Sequence, residues 1–340
     1  MRQLFAQDVQ TGLSANPKRL SSRYFYDERG NRLFQDIMGL KEYYLTRSEF
    51  EILTRHQAAL LHLFRSRPIL AEESQRQVAS VAVEDHQEGE DNAFELIEFG
   101  AGDGLKIKVL LRHFLAQRAS FRYVPIDISA DAVNGLVADL RATFPELETE
   151  GVQDEYFKAL DYLKTRSQVR KVVLFLGANI GNFNEVEAIQ FLTSLRRNLS
   201  PDDLLMIGFD LKKDPSLILA AYNDASGVTR DFNLNLLQRI NRELGGDFNP
   251  DHFQHYPTYD PTSGEARSFL LSRKHQTVRI AGLDAAFEFE AWEPIHTEIS
   301  RKYDLRTIVR LAQQSGYQVV QHFFDRQQYF VDTVWRVGRE

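Results

Sequence analysis

The stretch Phe94-Glu95-Leu96-Ile97-Glu98-Phe99-Gly100-Ala101-Gly102-Asp103-Gly104 decides how the rest of the chain is read. Its first six residues form a short, mostly apolar run that suits a buried strand, and the run stops at a glycine. Beyond the turn, Ile107, Leu110, Leu111 and Leu115 recur on one side of an amphipathic helix over Lys106–Leu115. Glycines in a turn of this kind let the backbone come close to a ligand, and the helix start offers N–H groups to negative oxygen atoms. A dinucleotide-binding turn carries glycines at its first, third and sixth positions. Here the sixth position is Leu105 and the third glycine comes one place early, at Gly104, which disfavours an NAD oxidoreductase.

Working outward, the same alternation repeats. A strand is expected over Arg122–Ile126, then a helix over Ala130–Phe144 with Ser129 as N-cap. A helix around Tyr156–Lys164, a strand over 172–176, a helix starting near Glu185 behind Asn184 and a strand over Leu204–Phe209 complete the series. Strands and helices in this rhythm give an α/β fold with a mostly parallel, doubly wound sheet. Upstream, Thr46 and Glu49 have the spacing of a capping box, followed by Phe50, Leu53, Leu60, Leu61 and Phe64 at helical period. After about Asp214 the rhythm changes to helices over Leu217–Asn223 and Thr229–Leu244 and then shorter β-like runs with one helix, Leu305–Gln314. Three parts are expected: residues 1–50 as the N-terminal part of a substrate-binding region, 51–212 as the doubly wound domain, and 213–340 as the rest of an α+β substrate-binding domain. Between Ala71 and Asn92, seven acids stand against Arg76 alone with no aromatic residue, which reads as a solvated loop.

Composition narrows the function classes. At 340 residues the chain is too long for one small core. A formal net charge of −7 argues against a general nucleic-acid binder, which needs an excess of Lys and Arg. With no Cys there is no thiolate catalysis, disulfide or Cys-bound metal. The nine His include the pair His252 and His255 but form no metal-ligating cluster, so no metal is expected. No signal-peptide pattern or membrane-length apolar run is visible, and a cytoplasmic protein, free of membrane and nucleic-acid partners, is expected.

A second feature agrees with the glycine turn. Tyr123-Val124-Pro125-Ile126-Asp127 places a carboxylate at the C-terminal end of the next strand, where an acid can accept hydrogen bonds from both hydroxyls of a ribose. The competing reading is that Asp127 helps to cap the helix after Ser129. The GxGxG spacing, with an acid two residues ahead of it, is usual for S-adenosylmethionine (SAM) methyltransferases.

Further motifs carry a resemblance. The run Tyr24-Phe25-Tyr26-Asp27-Glu28-Arg29-Gly30, followed by Glu42-Tyr43-Tyr44-Leu45-Thr46-Arg47, resembles the N-terminal signature of the EgtD family of SAM-dependent L-histidine Nα-methyltransferases. The likeness continues through Tyr123–Ser129, Leu176–Phe183, Ala220–Phe232, Asn233–Asp247 and Thr297-Glu298-Ile299-Ser300, and so covers most of the chain outside the acidic segment. It implies a class I, Rossmann-like methyltransferase domain joined to an α+β substrate-binding domain. It also implies methylation of the α-amino group of L-histidine with SAM, up to the trimethylated betaine hercynine, for ergothioneine biosynthesis; a monomer is expected, although the sequence does not reveal the oligomeric state.

For the cofactor, the resemblance points to Gly100 and Gly102 in the turn and to Lys106 beside the methionine portion, to Asp127 on the ribose, and to Tyr26 as a cover. The family has Asp before an aromatic residue beside the adenine; this chain has Glu155 and Tyr156 there. By spacing alone Lys106 would be an exposed surface lysine. For the substrate, Tyr43, Asn182 and Tyr222 match pocket residues, with Asn182 and Tyr222 at the amino and carboxylate ends, orienting the amine for catalysis. Glu298 and Ser300 match the pair that recognises imidazole: a carboxylate accepts the ring N–H and a hydroxyl donates or accepts. Spacing alone would turn that alternating pair to solvent as readily as to a pocket. Ser268 stands where the family commonly has methionine, so a different amino acid or small amine, such as a tryptophan derivative, is the alternative substrate, although tryptophan-type relatives lack the carboxylate of Glu298.

Overall fold

The computed structural model describes residues 2–66, 93–154, 158 and 169–338. The acidic segment expected at 71–92, the helix expected around Tyr156–Lys164, and Glu155 and Tyr156 lie outside the described residues, apart from Lys158. The chain divides into two compact units. One comprises Met1–Thr46, Gly181–Asn184 and Lys212–Tyr303; the other comprises Arg47–Ile180, Glu185–Leu211 and Asp304–Glu340.

The second unit is built on a seven-stranded sheet. In chain order its strands are β2 (Phe94–Phe99), β3 (Phe121–Asp127), β4 (Val152–Gln153), β5 (Arg170–Phe175), β6 (Leu204–Asp210), β12 (Tyr317–Phe324) and β13 (Phe330–Val337). They lie side by side in the order β12-β13-β6-β5-β2-β3-β4. From β4 to β6 every pairing is parallel, with Ile97 opposite both Val124 and Val173, whereas β13 runs antiparallel to both of its neighbours. Every residue of β2, β5 and β6 is buried, as expected of parallel strands covered on both faces. The strand order turns back at β2: the chain continues to β3 on one side and later to β5 on the other. The crevice outside such a switch point is where open α/β sheets hold ligands, and the glycine turn leaves β2 there. Among its helices, the one over Ile107–Ala116 buries Ile107, Leu110, Leu111 and Phe114, so Phe114 takes the inward place expected of Leu115. The helix over Ala130–Thr143 is capped by Ser129, whose hydroxyl accepts from the Ala132 N–H at 3.2 Å.

The first unit carries a four-stranded sheet of β1 (Lys18–Arg19), β7 (Phe253–Asp260), β8 (Glu265–Ser272) and β11 (Pro294–Arg301), ordered β1-β11-β8-β7. A separate hairpin pairs β9 (Gln276–Ile280) with β10 (Ala285–Phe289). Its core gathers Phe5, Val9 and Leu13 from the helix Arg2–Ser14, Phe232, Leu236, Leu237 and Ile240 from the helix Val228–Leu244, and strand residues such as Leu270, Phe289 and Ile295.

Three expectations need correction. The part expected to run from 213 to 340 is divided, because Asp304–Glu340 supplies the helix Leu305–Gln314 and strands β12 and β13 to the seven-stranded unit. Thr46 and Glu49 do not cap a helix: the helix runs over Tyr44–Arg65, and Glu49 is buried in its second turn. Strand β7 has no counterpart among the expected β-like runs, and β11 was foreseen only as the alternating strand of Glu298 and Ser300. Among the described residues, no helix is long and apolar enough to cross a membrane, and no group of three or more His, Asp and Glu could hold a metal ion.

Candidate active site

In the seven-stranded unit the three glycines of the turn do different things. Gly100, Gly102 and Gly104 all have positive φ, at 73°, 55° and 68°. A Cβ at Gly104 would lie 2.3 Å from Leu136 Cδ1, so this glycine lets the turn pack on the helix Ala130–Thr143. A Cβ at Gly102 would meet nothing within 4 Å, so here backbone faces open space. Asp127, at the end of β3, is tied to that turn: its carboxylate accepts the Gly102 N–H at 3.1 Å and the Ser129 N–H at 3.0 Å. Because the Ser129 hydroxyl caps the helix, Asp127 is not the capping side chain.

Lys106, expected beside the methionine end of the cofactor, has a protein partner in this unit. Its ammonium donates to Glu49 Oε2, while Glu49 Oε1 accepts the Gly177 N–H at 2.7 Å. Burial works against the charged lysine, but the negative charge of Glu49 outweighs it and raises the Lys106 pKa. Two more carboxyls lie in this cluster. Burial pushes Glu98 up to about 8, against the opposing effects of Tyr123, which donates to it at 2.5 Å, and of Lys106. Asp332 is fully buried, and burial together with the charge of Glu49 raises its pKa well above the ordinary aspartate value. The interior therefore favours neutral Glu98 and Asp332 around one ion pair.

The first unit contains the residues expected to meet the substrate, together with Tyr26, expected to cover the cofactor. Tyr26 and Tyr43 both lie edge-on to Phe34, at 5.5 and 6.2 Å between ring centroids, and Tyr26 also meets Phe232 at 5.7 Å. The turn that presents Tyr26 is fixed by the next residue. Asp27 caps the helix Glu28–Gly39 by accepting the Gly30 N–H at 2.7 Å, and it also accepts from Asn235 at 2.8 Å and from Arg242. Burial alone would raise the Asp27 pKa; those three donors outweigh it and lower it. Gly30 must be glycine, since a Cβ would lie 1.7 Å from the Phe25 carbonyl oxygen. Thus much of the 24–30 motif is scaffolding for one tyrosine.

Strand β11 carries the polar pair. Its pairing with β8 shifts register between His296 and Glu298 and then sets Glu298 opposite Ser268 and Ser300 opposite Ala266. Thr297 at the shift is tied down by donating to Asn233 Oδ1 at 2.8 Å and lies 3.0 Å from the Ser268 carbonyl. Glu298 and Ser300 share one face of the strand. Ser268 is buried and donates to Glu298 Oε2 at 3.4 Å. Burial pushes the Glu298 carboxyl up to about 7, with the Lys302 charge and the Ser268 hydrogen bond pulling the other way. Tyr222, just past the helix Pro215–Ala221, is buried and donates to Ser300 Oγ at 2.7 Å. Asn182 ends the short turn 179–182, and Gly181 brings that turn against β11, because a Cβ there would lie 2.8 Å from the Arg301 carbonyl oxygen. Within this unit, then, hydrogen bonds make two pairs, Tyr222 with Ser300 and Ser268 with Glu298, and Asn182 follows a residue packed on the same strand.

A family profile described as "Histidine-specific methyltransferase, SAM-dependent" matches residues 5–337. The chain belongs to this methyltransferase family. It is 33% identical over 310 residues to a histidine N-alpha-methyltransferase of Mycolicibacterium smegmatis, covering 91% of this chain and 88% of that one. It is 33% identical over 297 residues to the Mycobacterium tuberculosis protein of the same name, covering 87% of this chain and 84% of that one. It is 29% identical to ergothioneine biosynthesis protein 1 of Neurospora crassa over 280 residues, which are 78% of this chain but 29% of that longer protein. In this histidine-specific methyltransferase, sequence reasoning missed two buried residues that hold the expected ones in place, Glu49 and Lys302. Lys302 follows Glu298 and Ser300 at the same alternating spacing, which was the available signal. Glu49 was assigned to a helix start and gave no signal of its long-range partners.

Proposed function

We propose that this SAM-dependent enzyme methylates the α-amino nitrogen of L-histidine, proceeding to the trimethylated product hercynine as a step of ergothioneine biosynthesis. The observation that carries the reading is the Glu298–Ser300 pair on one face of β11, with Ser268 donating to the carboxyl and Tyr222 to the Ser300 hydroxyl. A carboxylate and a hydroxyl on one strand face can engage the two nitrogens of an imidazole ring.

The seven-stranded unit has features that suit the donor. Open space at Gly102 admits a ligand close to the backbone, and Asp127 at the end of β3 offers acceptors for two ribose hydroxyls. Gly100, Gly102 and Asp127 would hold SAM there, with Lys106 reaching the donor's carboxylate by exchanging its partner Glu49. When bound, SAM supplies an electrophilic methyl group on a positively charged sulfur. The protein's task is to hold a neutral amine in line with it, and positioning of this kind accounts for much of the rate. The α-amino group of a chain terminus titrates at roughly 7.7–8.0, and that of a free amino acid, beside its own carboxylate, titrates higher, so the amine must lose its proton before it attacks. Asn182, Tyr43 and Tyr222 orient the amino and carboxylate ends, and Glu298 and Ser300 fix the ring.

The test is mass spectrometry on the purified protein with SAM and each of the twenty amino acids. Histidine should gain up to three methyl groups, with one SAM consumed for each. No gain on histidine, with gain on a different amine, would move the assignment to that amine and identify Ser268 as the residue to examine.

A further inference from the structure

Lys302 is 1% exposed, and its ammonium donates to two hydroxyls at once: Tyr222 Oη at 2.6 Å and Ser300 Oγ at 2.9 Å. It also lies 4.7 Å from the centroid of the Tyr222 ring, so the phenol is held by its face as well as its oxygen. The two hydroxyls are themselves joined at 2.7 Å.

Donor and acceptor counting then fixes a direction. An ammonium has donors only, so it uses one lone pair on each oxygen. Of the two hydroxyls, the phenol is the stronger acid, and it donates to the aliphatic oxygen. Ser300 Oγ therefore accepts twice, from Lys302 and from Tyr222, and both of its lone pairs are engaged. Its single O–H proton is what remains for a ligand. Without the lysine, Ser300 would be able to accept or donate according to what it met.

We propose that Lys302 is a positioning residue that locks Ser300 as a hydrogen-bond donor, so that the site reads a neutral ring with one N–H and one acceptor nitrogen. The inference rests on the histidine reading above and deepens it. Glu298 accepts the ring N–H and Ser300 donates to the other nitrogen. A doubly protonated ring would face the Ser300 proton with one of its own, and a ring lacking the acceptor nitrogen would leave that proton unsatisfied.

The experiment compares kcat/KM for L-histidine with that for β-(pyrrol-3-yl)-L-alanine, which keeps a ring N–H but has no acceptor nitrogen. The wild-type protein should prefer histidine by at least about tenfold, the scale of an unsatisfied buried donor. In Lys302→Met, which keeps the length but loses the donors, the preference should fall below about threefold with SAM affinity unchanged. In Lys302→Gln, which keeps two N–H donors, it should persist. A preference unchanged in Lys302→Met, or lost equally in Lys302→Gln, overturns the proposal. A measurement on the unaltered protein stands beside these in case the methionine variant does not fold. Ring 15N NMR of labelled histidine, bound with S-adenosylhomocysteine, should show a neutral ring with one protonated nitrogen, and a ring protonated on both nitrogens overturns the proposal. If wild type does not methylate histidine at all, the functional reading fails. If it does, but the preference ignores Lys302, only this inference fails.

Discussion

The unit built on the seven-stranded sheet buries Glu49, Glu98 and Asp332 beside the half-buried Lys106, whereas the unit with the four-stranded sheet buries Tyr222, Ser268, Ser300 and Lys302 around Glu298. The first set is rich in carboxyls, and it is kept tolerable by pairing one acid with a lysine and pushing Glu98 and Asp332 toward their neutral forms. The second set is rich in hydroxyls, and its single lysine sets which way their protons point. Buried charge fixes elements in place because breaking a pair is costly. Buried hydroxyls add little net charge but offer direction, which a site that must recognise a small polar ring requires. On the proposed function, the contrast would separate a donor-side framework from a substrate-side filter.

The sharpest way to break that contrast is Glu49→Ala. It would leave a half-buried lysine and the Gly177 N–H without their acceptor, and stability should fall by about 3–5 kcal/mol, read from the urea midpoint. A loss within experimental error would remove Glu49 from the framework. Next, Glu298→Ala should weaken histidine binding by about 1.5–3 kcal/mol while leaving SAM binding alone, as measured by calorimetry. Equal effects on both ligands would show that Glu298 does not contact the substrate.

The turn offers a smaller, internal comparison. Gly104→Ala forces a Cβ toward Leu136 at a positive φ and should lower stability by about 1–3 kcal/mol. Gly102→Ala faces open space and should cost less stability, with its larger effect on SAM affinity. If the two variants lose SAM affinity equally at equal stability, the division of labour within the turn is wrong.

The mildest effect is on pH dependence. Glu98 has its folded pKa raised to about 8 from an ordinary 4.5. The stability it contributes is therefore present below about pH 4.5 and lost as pH rises through 8. Glu98→Gln should flatten that part of the stability profile, as followed by thermal melts. Glu298, raised to about 7, follows the same sign for the free protein. Histidine binding runs the other way, because the ring N–H needs the carboxylate: affinity should drop between pH 8 and 6, and Glu298→Gln should remove that share of the drop.

The strand–turn–helix around Gly100, the Ser129 cap and the helix Leu305–Gln314 were legible because each is decided by residues close in sequence. Strand β7 was not, since Gln254, His255, Pro257 and Thr258 interrupt any apolar alternation, and its pairing with β8 supplies what propensity does not. The hairpin of β12 and β13 was visible as strands but was given to the wrong unit, because alternation does not say which sheet a strand joins. Glu298 and Ser300 looked equally suited to solvent, and only a resemblance turned them inward. Glu49 shows the limit most clearly: its partners are 57 and 128 residues away in sequence.

The first unit is assembled from 1–46, 181–184 and 212–303, with segments of the other lying between them in sequence, and the final strand of that other unit ends at Val337. Domains generally fold as units during synthesis, yet here one body lacks parts until Tyr303 has been made and the other until β13 has. Until β13 emerges, β6 has no neighbour on that side and remains an open edge. A nascent chain of this design must hold a nearly complete parallel sheet in waiting, which makes the interval before β13 emerges its period of greatest exposure to aggregation.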